Sequence, residues 1–306
     1  MHHVSEMPRP SGVHVTYRRV RFAFETRGFP RYWHSGSPFK SLFWTQLSTS
    51  FAPGEKFFID SARALSDTIR DPALRVELGE FCRQEGHHTL QHLKLDRENE
   101  KLGVDVKVCR ARYTALLDFV RKVASPLDML AVTVALEHFT AGFAEQCFAR
   151  SDINAGADKN VLALWEWHAA EELEHKGTCY DIYRAAGGGY LRRIWVVGGA
   201  WLLLLGLSLW NTFTLLRKDK QLGNWRDLAG GLRYLFGRRG LVTAMLPAYV
   251  AYFRPSFHPW SVDSSQAIAD WRARSGEYIV HESGSRSNER CEASGFGEQA
   301  RQAAGM

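Results

Sequence analysis

The spacing of apolar residues predicts a chain that is helical over most of its length. Between residues 38 and 186, apolar positions recur at the intervals of amphipathic helices. Pro, Gly and Ser residues divide this stretch into segments. The predicted helices cover residues 38–49, 55–70, 72–102, 107–123, a segment that begins after Ser125, and 158–186. We therefore expect an all-α fold.

Two of the predicted helices carry the same short motif. Glu85 and His88 are three residues apart in one helix, and Glu172 and His175 have the same spacing in another. Residues three apart lie on one helix face, with roughly 5–6 Å between their Cβ atoms, so a carboxylate and an imidazole can bind one metal ion. The motif also occurs by chance on exposed helices, so either copy alone would be a weak signal.

Two further glutamates match these motifs in spacing. A helical bundle that holds two metal ions needs the motif twice, plus one glutamate from each of two other helices. The midpoint between Glu55 and Glu85 lies beside Pro72, where the helix pattern breaks. The midpoint between Glu137 and Glu172 falls in the turn-like stretch SDINAGAD. Two antiparallel hairpins folded at these points would bring each glutamate level with a motif.

The spacing therefore predicts a dinuclear metal site in a four-helix bundle. Its predicted ligands are Glu55, Glu85, His88, Glu137, Glu172 and His175. Glu85 and Glu172 are expected to bridge the two ions, which makes them the candidate catalytic residues. His168 shares a helix face with Glu172 and is a candidate for a seventh ligand or for a hydrogen-bond partner of a ligand. His92, one turn beyond His88, is a second candidate partner; a purely structural role is the alternative for both.

The donor set suggests the metal and the chemistry. Carboxylates with imidazoles suit iron or manganese. We expect two metal ions, iron first, with manganese or zinc as alternatives. Such a pair can reduce dioxygen, or it can activate water for hydrolysis. The carboxylate-rich helical site favours an oxidase or oxygenase supplied by an electron donor. Hydrolysis is the alternative, and non-enzymatic metal binding or storage is a second alternative.

A long apolar run follows the predicted bundle. Residues 194–216 contain no charge and are numerous enough to span a bilayer. Basic residues are denser after this run than before it, which opposes a simple span from a cytosolic bundle. We expect one long helix with a lipid-facing side; a helix buried against the bundle is the alternative. A lipophilic substrate could then reach the metals, and fatty acyl chains, aldehydes, sterols and quinols all fit.

These patterns divide the chain into four parts. Residues 1–49 form an N-terminal arm with a short helix, and residues 50–189 form the metal-binding bundle. Residues 190–272 form the apolar and basic helical region. Residues 273–306 are rich in Ser, Gly and Glu and are expected to be disordered.

Net charge and cysteine content limit which binding partners and which cellular compartment are expected. The net charge of +6 fits an anionic membrane surface or a nucleic acid, but zinc-finger spacing and basic–aromatic runs are missing, so no nucleic-acid partner is expected. The five cysteines form no CxxC pair, which favours a reducing compartment. The first residues contain no apolar signal segment. We expect the protein in the cytoplasm or on the cytoplasmic face of the inner membrane.

Several stretches resemble a bacterial family described as predicted metal-dependent hydrolases. They extend over about residues 20–272 and read FPRYWHSGSPF, FAPGEKFFIDSAR, QEGHHTLQH, ALEHFTAGFAE, WHAAEELEHK and YFRPSFHPW. This resemblance implies metal dependence and hydrolysis. The order of the predicted ligands also resembles the ferritin-like di-iron carboxylate proteins over about residues 50–186. That second resemblance implies four helices around two iron ions.

Overall fold

Helices supply nearly all of the regular structure in the computed structural model, which describes residues 9–276 and 279–282 of the 306. The expectation of an all-α fold is confirmed. The helices, in chain order, are α1 (Phe24–Arg27), α2 (Pro38–Arg63), α3 (Pro72–Lys101), α4 (Val106–Val123), α5 (Pro126–Ala149), α6 (Ser151–Asn154), α7 (Lys159–His175), α8 (Thr178–Ala185), α9 (Tyr190–Lys218), α10 (Trp225–Phe236), α11 (Leu241–Tyr252) and α12 (Ser265–Arg274). Two short strands, β1 (Arg18–Val20) and β2 (Ile279–Glu282), pair antiparallel.

Helix α2 corrects the expectation of two separate helices over residues 38–49 and 55–70. It continues through Pro53 and also passes position 49, where the N-terminal arm was expected to end. A proline inside a helix removes one backbone hydrogen bond and crowds the preceding turn. However, α2 contacts α3, α4, α5 and α9, and it buries Phe51 before the proline and Phe57 after it. Packing on several sides therefore outweighs the local helix breaker.

Helices α2 and α3 form the first predicted hairpin. The Asp71 side chain caps α3 by accepting a hydrogen bond from the backbone N–H of Ala73, and Pro72 occupies the first helical position. Contacts between the two helices run in opposite directions along the chain, as in the pairs Thr45–Asn99, Ser48–Asp96 and Glu55–Thr89. The hairpin is therefore antiparallel and places Glu55 beside the turn of α3 that carries the first motif.

Helices α5 and α7 form the second hairpin, which turns through α6. Ser125 caps α5 as expected, and Asp158 caps α7. Helix α2 contacts α5, and α3 contacts α7, so the four helices that carry the predicted ligands surround one interior. The assignment of these helices to the ferritin-like class stays a prediction.

The helix expected over residues 158–186 is interrupted at Lys176-Gly177, between α7 and α8. A Cβ atom at Gly177 would overlap the indole of Trp260, which is itself buried. The close approach of this ring therefore requires a residue without a side chain. Nothing in the local helix pattern could indicate a contact with a residue so far along the chain.

The strand β2 lies inside the range that was expected to be disordered. Its register pairs Arg19 with His281 and Val20 with Ile279, with an irregularity between these two pairs. The β-branched Ile279 and Val280 favour a strand once a partner is present. The expectation of disorder for residues 283–306 lies outside the described residues.

Helix α9 contains the whole apolar run, as one long helix. Its length and composition would allow it to cross a membrane, and the same holds for α5, which is mostly buried inside the protein. One face of α9 packs against α5 and α2, whereas Trp195, Leu202 and Trp210 are exposed. The helix is therefore not buried all round, and its association with a membrane stays a prediction.

Replacing Gly177 by Ala should lower the free energy of unfolding by about 1–3 kcal/mol, the usual cost of overpacking. The added methyl group would overlap the Trp260 indole, so one of the two must move. Gly79→Ala in α3 is the matched control, because a Cβ atom there meets no other atom within 4 Å. It should stabilise the helix by about 0.5–1 kcal/mol. Chemical denaturation measures both effects, and equal values for the two variants would contradict the tight contact at Gly177.

Candidate metal centre

Six buried side chains from four helices meet in the interior between α2, α3, α5 and α7. They are the six predicted ligands, Glu55, Glu85, His88, Glu137, Glu172 and His175. His175 Nε2 lies 3.1 Å from Glu85 Oε1 and 3.5 Å from Glu137 Oε2. His88 Nδ1 lies 3.9 Å from Glu55 Oε1. The structure therefore brings all six together, and their role as ligands stays a prediction.

Glu85 and Glu172 occupy the middle of this cluster. Glu172 Oε1 lies 3.7 Å from His88 Nδ1 and 3.6 Å from His175 Nε2. Glu85 Oε1 likewise lies 3.9 Å from His88 Nδ1 and 3.1 Å from His175 Nε2. Donor atoms within 4.8 Å of one another form three overlapping groups, Glu85–Glu137–His175, Glu85–His88–Glu172 and Glu55–His88–His168. Both central glutamates are thus close to each histidine, the position expected for bridging ligands.

The cluster contains buried polar atoms that no protein group satisfies. Each of the six side chains contributes at least one nitrogen or oxygen atom without a hydrogen-bond partner. These atoms are Glu55 Oε1, Glu85 Oε1 and Oε2, His88 Nδ1, Glu137 Oε1 and Oε2, Glu172 Oε2 and His175 Nε2. Buried polar atoms are nearly always hydrogen-bonded, because leaving them unpaired is costly. Carboxylate and imidazole donors suit divalent metal ions, so the residues present fit a metal.

Hydrogen bonds outside the cluster orient both motif histidines. His88 Nε2 lies 3.1 Å from Glu171 Oε2, so this ring donates its Nε2–H and turns Nδ1 towards the cluster. His175 Nδ1 lies 2.9 Å from Gln84 Oε1. The Gln84 amide donates to Glu174, which leaves its Oε1 as the acceptor for His175. Both rings therefore present a lone pair to the cluster, the arrangement usual for metal-binding histidines.

A chain of hydrogen bonds fixes the third imidazole, His168. Ser48 donates to Asp96 and accepts from His92 Nδ1 at 2.9 Å. His92 Nε2 then accepts from His168 Nδ1 at 2.7 Å. His168 Nε2 is left with a lone pair that points at Glu172 Oε1, 2.9 Å away. Two acceptors at this distance need a proton or a metal ion between them, so the geometry agrees with both roles considered for His168 and with a supporting role for His92.

The electrostatics of the cluster favour positive charge. Burial raises the pKa of Glu55 and Glu137 well above the usual value, and the charge of neighbouring carboxylates adds to this effect. Burial likewise raises the pKa of Glu85 to about 7. Burial alone would lower the pKa of His175, but Glu172 and Glu137 outweigh it and raise that pKa. The carboxylates thus favour a positive charge beside them, either a proton on His175 or a metal ion in place of that proton.

Three charged residues that surround the predicted ligands were not identified from the sequence. Glu171 and Glu174, which neighbour Glu172 and His175 in sequence, are fully buried. Arg18 on β1 donates to both Glu174 oxygens at 2.8 Å and to Glu171 at 3.3 Å. The run EELEH could have suggested hydrogen-bond partners for the ligands, because it places two further glutamates in the same helical turn as Glu172 and His175. No local signal could have indicated Arg18, which is 153 residues from Glu171.

A cavity of about 360 Å³ adjoins the cluster. Glu55, His168 and Glu172 line it at the cluster end. Its remaining walls are mostly apolar and come from α2, α4, α5, α7 and α9, with Phe51, Phe58, Leu117, Phe139 and Phe143 among them. A concave, apolar site with a few converging polar groups is typical of small-molecule binding. A substrate would therefore reach the cluster from this side.

Fold and site together define an all-α protein with a buried carboxylate–imidazole cluster that fits metal ions. The sequence model of a family described as predicted metal-dependent hydrolase matches residues 16–263, which include all four ligand-bearing helices. The chain belongs to this family. Comparison with curated proteins and with solved structures found no match.

The family corrects the function that was favoured from the sequence. An oxidase or oxygenase was expected, but the family is described as metal-dependent hydrolases, which was the alternative. The electron donor was expected only for oxygen chemistry, and a hydrolase does not require one. The number and identity of the metal ions stay predictions. The carboxylate–imidazole set itself serves both reactions, so the ligand pattern alone favoured neither strongly.

Glu85→Gln should stabilise the metal-free protein and weaken metal binding. The substitution removes one of four clustered carboxylates and should raise the free energy of unfolding by about 1 kcal/mol or more, within the range for removing a poorly compensated buried charge. The stabilisation that the wild type gains from added Mn²⁺ or Zn²⁺ should shrink in the variant.

Chemical denaturation with and without metal measures both effects. Glu98→Gln is the matched control, because Glu98 lies on the same helix and pairs with Lys101 at the surface. A Glu85→Gln protein that is less stable without metal, yet is stabilised by metal as strongly as the wild type, would contradict the role given to Glu85.

Proposed function

We propose that this protein is a hydrolase that uses two metal ions held by the buried cluster. One observation carries the proposal: all six predicted ligands have buried polar atoms without a protein partner, and these atoms belong to a single cluster. The family supports the reaction class. Two ions are supported by the overlapping donor groups, in which Glu85 and His88 each take part twice.

The six side chains of the cluster can be grouped around two metal ions, with two glutamates shared between them. Glu137 and His175 would serve one ion, while Glu55 and His88 would serve the other. Glu85 and Glu172 lie between the two histidines and would serve both. Manganese and zinc suit this donor set and need no redox partner. When bound, such ions polarise the oxygen of a scissile group and lower the pKa of water, which supplies a nucleophile near neutral pH.

The surrounding residues orient the substrate and handle protons. Glu55, His168 and Glu172 line the end of the cavity at which a scissile group would arrive. The apolar walls exclude bulk water, which strengthens electrostatic interactions at this end. His168 Nε2 carries a lone pair at the cluster end of the cavity, 2.9 Å from Glu172 Oε1. Since His92 orients His168 through a hydrogen bond, this imidazole is suited to accept the proton that water loses and to return it to the leaving group.

Metal-dependent, oxygen-independent hydrolysis tests the proposal. The protein is stripped with a chelator, reloaded with Mn²⁺ or Zn²⁺, and assayed on carboxyl esters, amides and phosphoesters with and without oxygen. We expect two metal ions per chain and activity that chelation abolishes. Glu172→Gln should lower kcat by about a hundredfold or more, as for the loss of a key electrostatic group.

Glu166→Gln is the matched control for this variant, because Glu166 lies on the same helix and pairs with Arg274 away from the cluster. It should leave kcat and metal content unchanged. Activity that survives chelation, or that requires oxygen, would overturn the hydrolase proposal.

A further inference from the structure

The exposed apolar surface of the protein is concentrated on one region. In the part of the chain that the structure describes, twelve of the sixteen exposed large hydrophobic side chains lie between residues 191 and 250. This range comprises α9, α10 and α11. Large exposed apolar side chains grouped in this way are typical of a surface that contacts a partner or a membrane.

The same region is basic. Residues 217–240 include seven basic and two acidic residues. Both acidic side chains are bonded inside the protein, Asp219 to Tyr32 and Asp227 to the backbone N–H of Phe39. Arg226 and Arg233 are exposed, close in sequence to the exposed Trp225. Exposed basic and aromatic side chains on one helix match the headgroups and acyl boundary of an anionic membrane.

The packing of α9 is compatible with a position on a membrane surface and opposes a membrane-crossing one. Its inner face buries the polar side chains of Ser208, Asn211 and Thr212 against the rest of the protein. The adjacent helix α4 contacts this face through Tyr113 and exposes charged side chains such as Asp118. A membrane-crossing α9 would carry these charges into the hydrocarbon, which is costly. Only the outer face of α9 suits lipid.

The cavity beside the cluster opens on this outer face. Trp195, Gly199 and Leu203 are spaced by four residues, so they form one stripe along α9. All three line the cavity and are exposed, Trp195 by 86% and Leu203 by 56%. A Cβ atom at Gly199 would meet no atom within 4 Å, so the stripe has a gap at its centre. This gap forms a mouth that faces the proposed membrane surface.

The polarity of the cavity determines how a substrate would enter. Its inner end carries the buried Glu55, His168 and Glu172, whereas most other walls are apolar. A lipid would therefore enter with its polar group first and leave its hydrocarbon chain towards the mouth. Because the cavity measures about 360 Å³ and ends at the cluster, the polar group must be small. A bulky phospholipid headgroup does not meet this requirement.

We propose that the substrate is a single-chain lipid dissolved in an anionic bilayer, an ester of a long-chain fatty acid with a small alcohol. This inference rests on the proposed hydrolase function. Hydrolysis consumes one water molecule: its oxygen bonds to the acyl carbon and the ester carbon–oxygen bond breaks. One proton of the water goes to the departing alcohol, and the other is released as the fatty acid ionises.

Photo-crosslinking tests entry of the chain without relying on catalysis. The full-length protein is mixed with vesicles of phosphatidylcholine and phosphatidylglycerol that contain the methyl ester of a palmitic acid with a mid-chain diazirine. After illumination, mass spectrometry locates the crosslinks. We expect crosslinks on cavity residues such as Phe51, Phe58 and Phe143, in addition to crosslinks on the surface of α9.

Gly199→Phe should block the mouth and lower the yield of cavity crosslinks by about tenfold or more, the equivalent of a modest steric penalty. Crosslinks on the surface of α9 should persist in this variant. Gly206→Phe is the matched control: Gly206 is an exposed glycine two turns along the same helix, has no atom within 4 Å of a Cβ, and does not line the cavity. It should retain the cavity crosslinks.

A parallel assay of the metal-loaded protein measures release of the fatty acid from the same ester. Cavity crosslinks that Gly199→Phe removes support entry of a single-chain lipid through the mouth. If no preparation then hydrolyses any ester, the hydrolase function is rejected and the lipid stands as a ligand only. Hydrolysis of soluble short-chain esters with crosslinks confined to the surface would reject the lipid substrate and leave the hydrolase standing. Cavity crosslinks that Gly199→Phe leaves unchanged would reject the proposed mouth.

Discussion

The main constraint on the structure is that four glutamates, which repel one another when ionised, are buried in one interior. Glu55, Glu85, Glu137 and Glu172 face a space with too few donors to satisfy them. Such an arrangement is unfavourable in a protein without metal, because buried charges need compensation. Long packed helices hold the carboxylates in place, and the raised pKa of three of them reflects the cost. Metal ions would remove this cost, which couples stability to function.

Residues just outside the cluster orient the side chains inside it. Glu171 and Gln84 orient the two motif histidines, and His92 orients His168. Arg18 on β1 donates hydrogen bonds to Glu171 and Glu174 just outside the cluster, and Arg272 also pairs with Glu174. The N-terminal strand is therefore part of the support of the site. The cavity adds a third element, because it connects this polar centre to the apolar face of α9.

The sequence predicted local and periodic features well and contacts between distant residues poorly. Glu-x-x-His spacing and the two hairpin midpoints placed six side chains in one cluster, because helix geometry repeats regularly. The same reasoning failed at Pro53, where packing on several sides preserves a helix. It also failed at Gly177 and Arg18, whose partners are distant in the chain. The reaction was misjudged for a different reason: one donor set serves both oxygen chemistry and hydrolysis, and only the family distinguished them.

Anomalous X-ray diffraction tests the central claim, a two-metal centre in the buried cluster, most directly. Crystals of the full-length protein grown with Zn²⁺ or Mn²⁺ would be measured at the absorption edge of the metal. The account predicts two anomalous peaks in the interior, with Glu85 and Glu172 close to both and ligand distances of about 2.0–2.2 Å. A single peak, or peaks only at surface sites while the six side chains stay unligated, would contradict it.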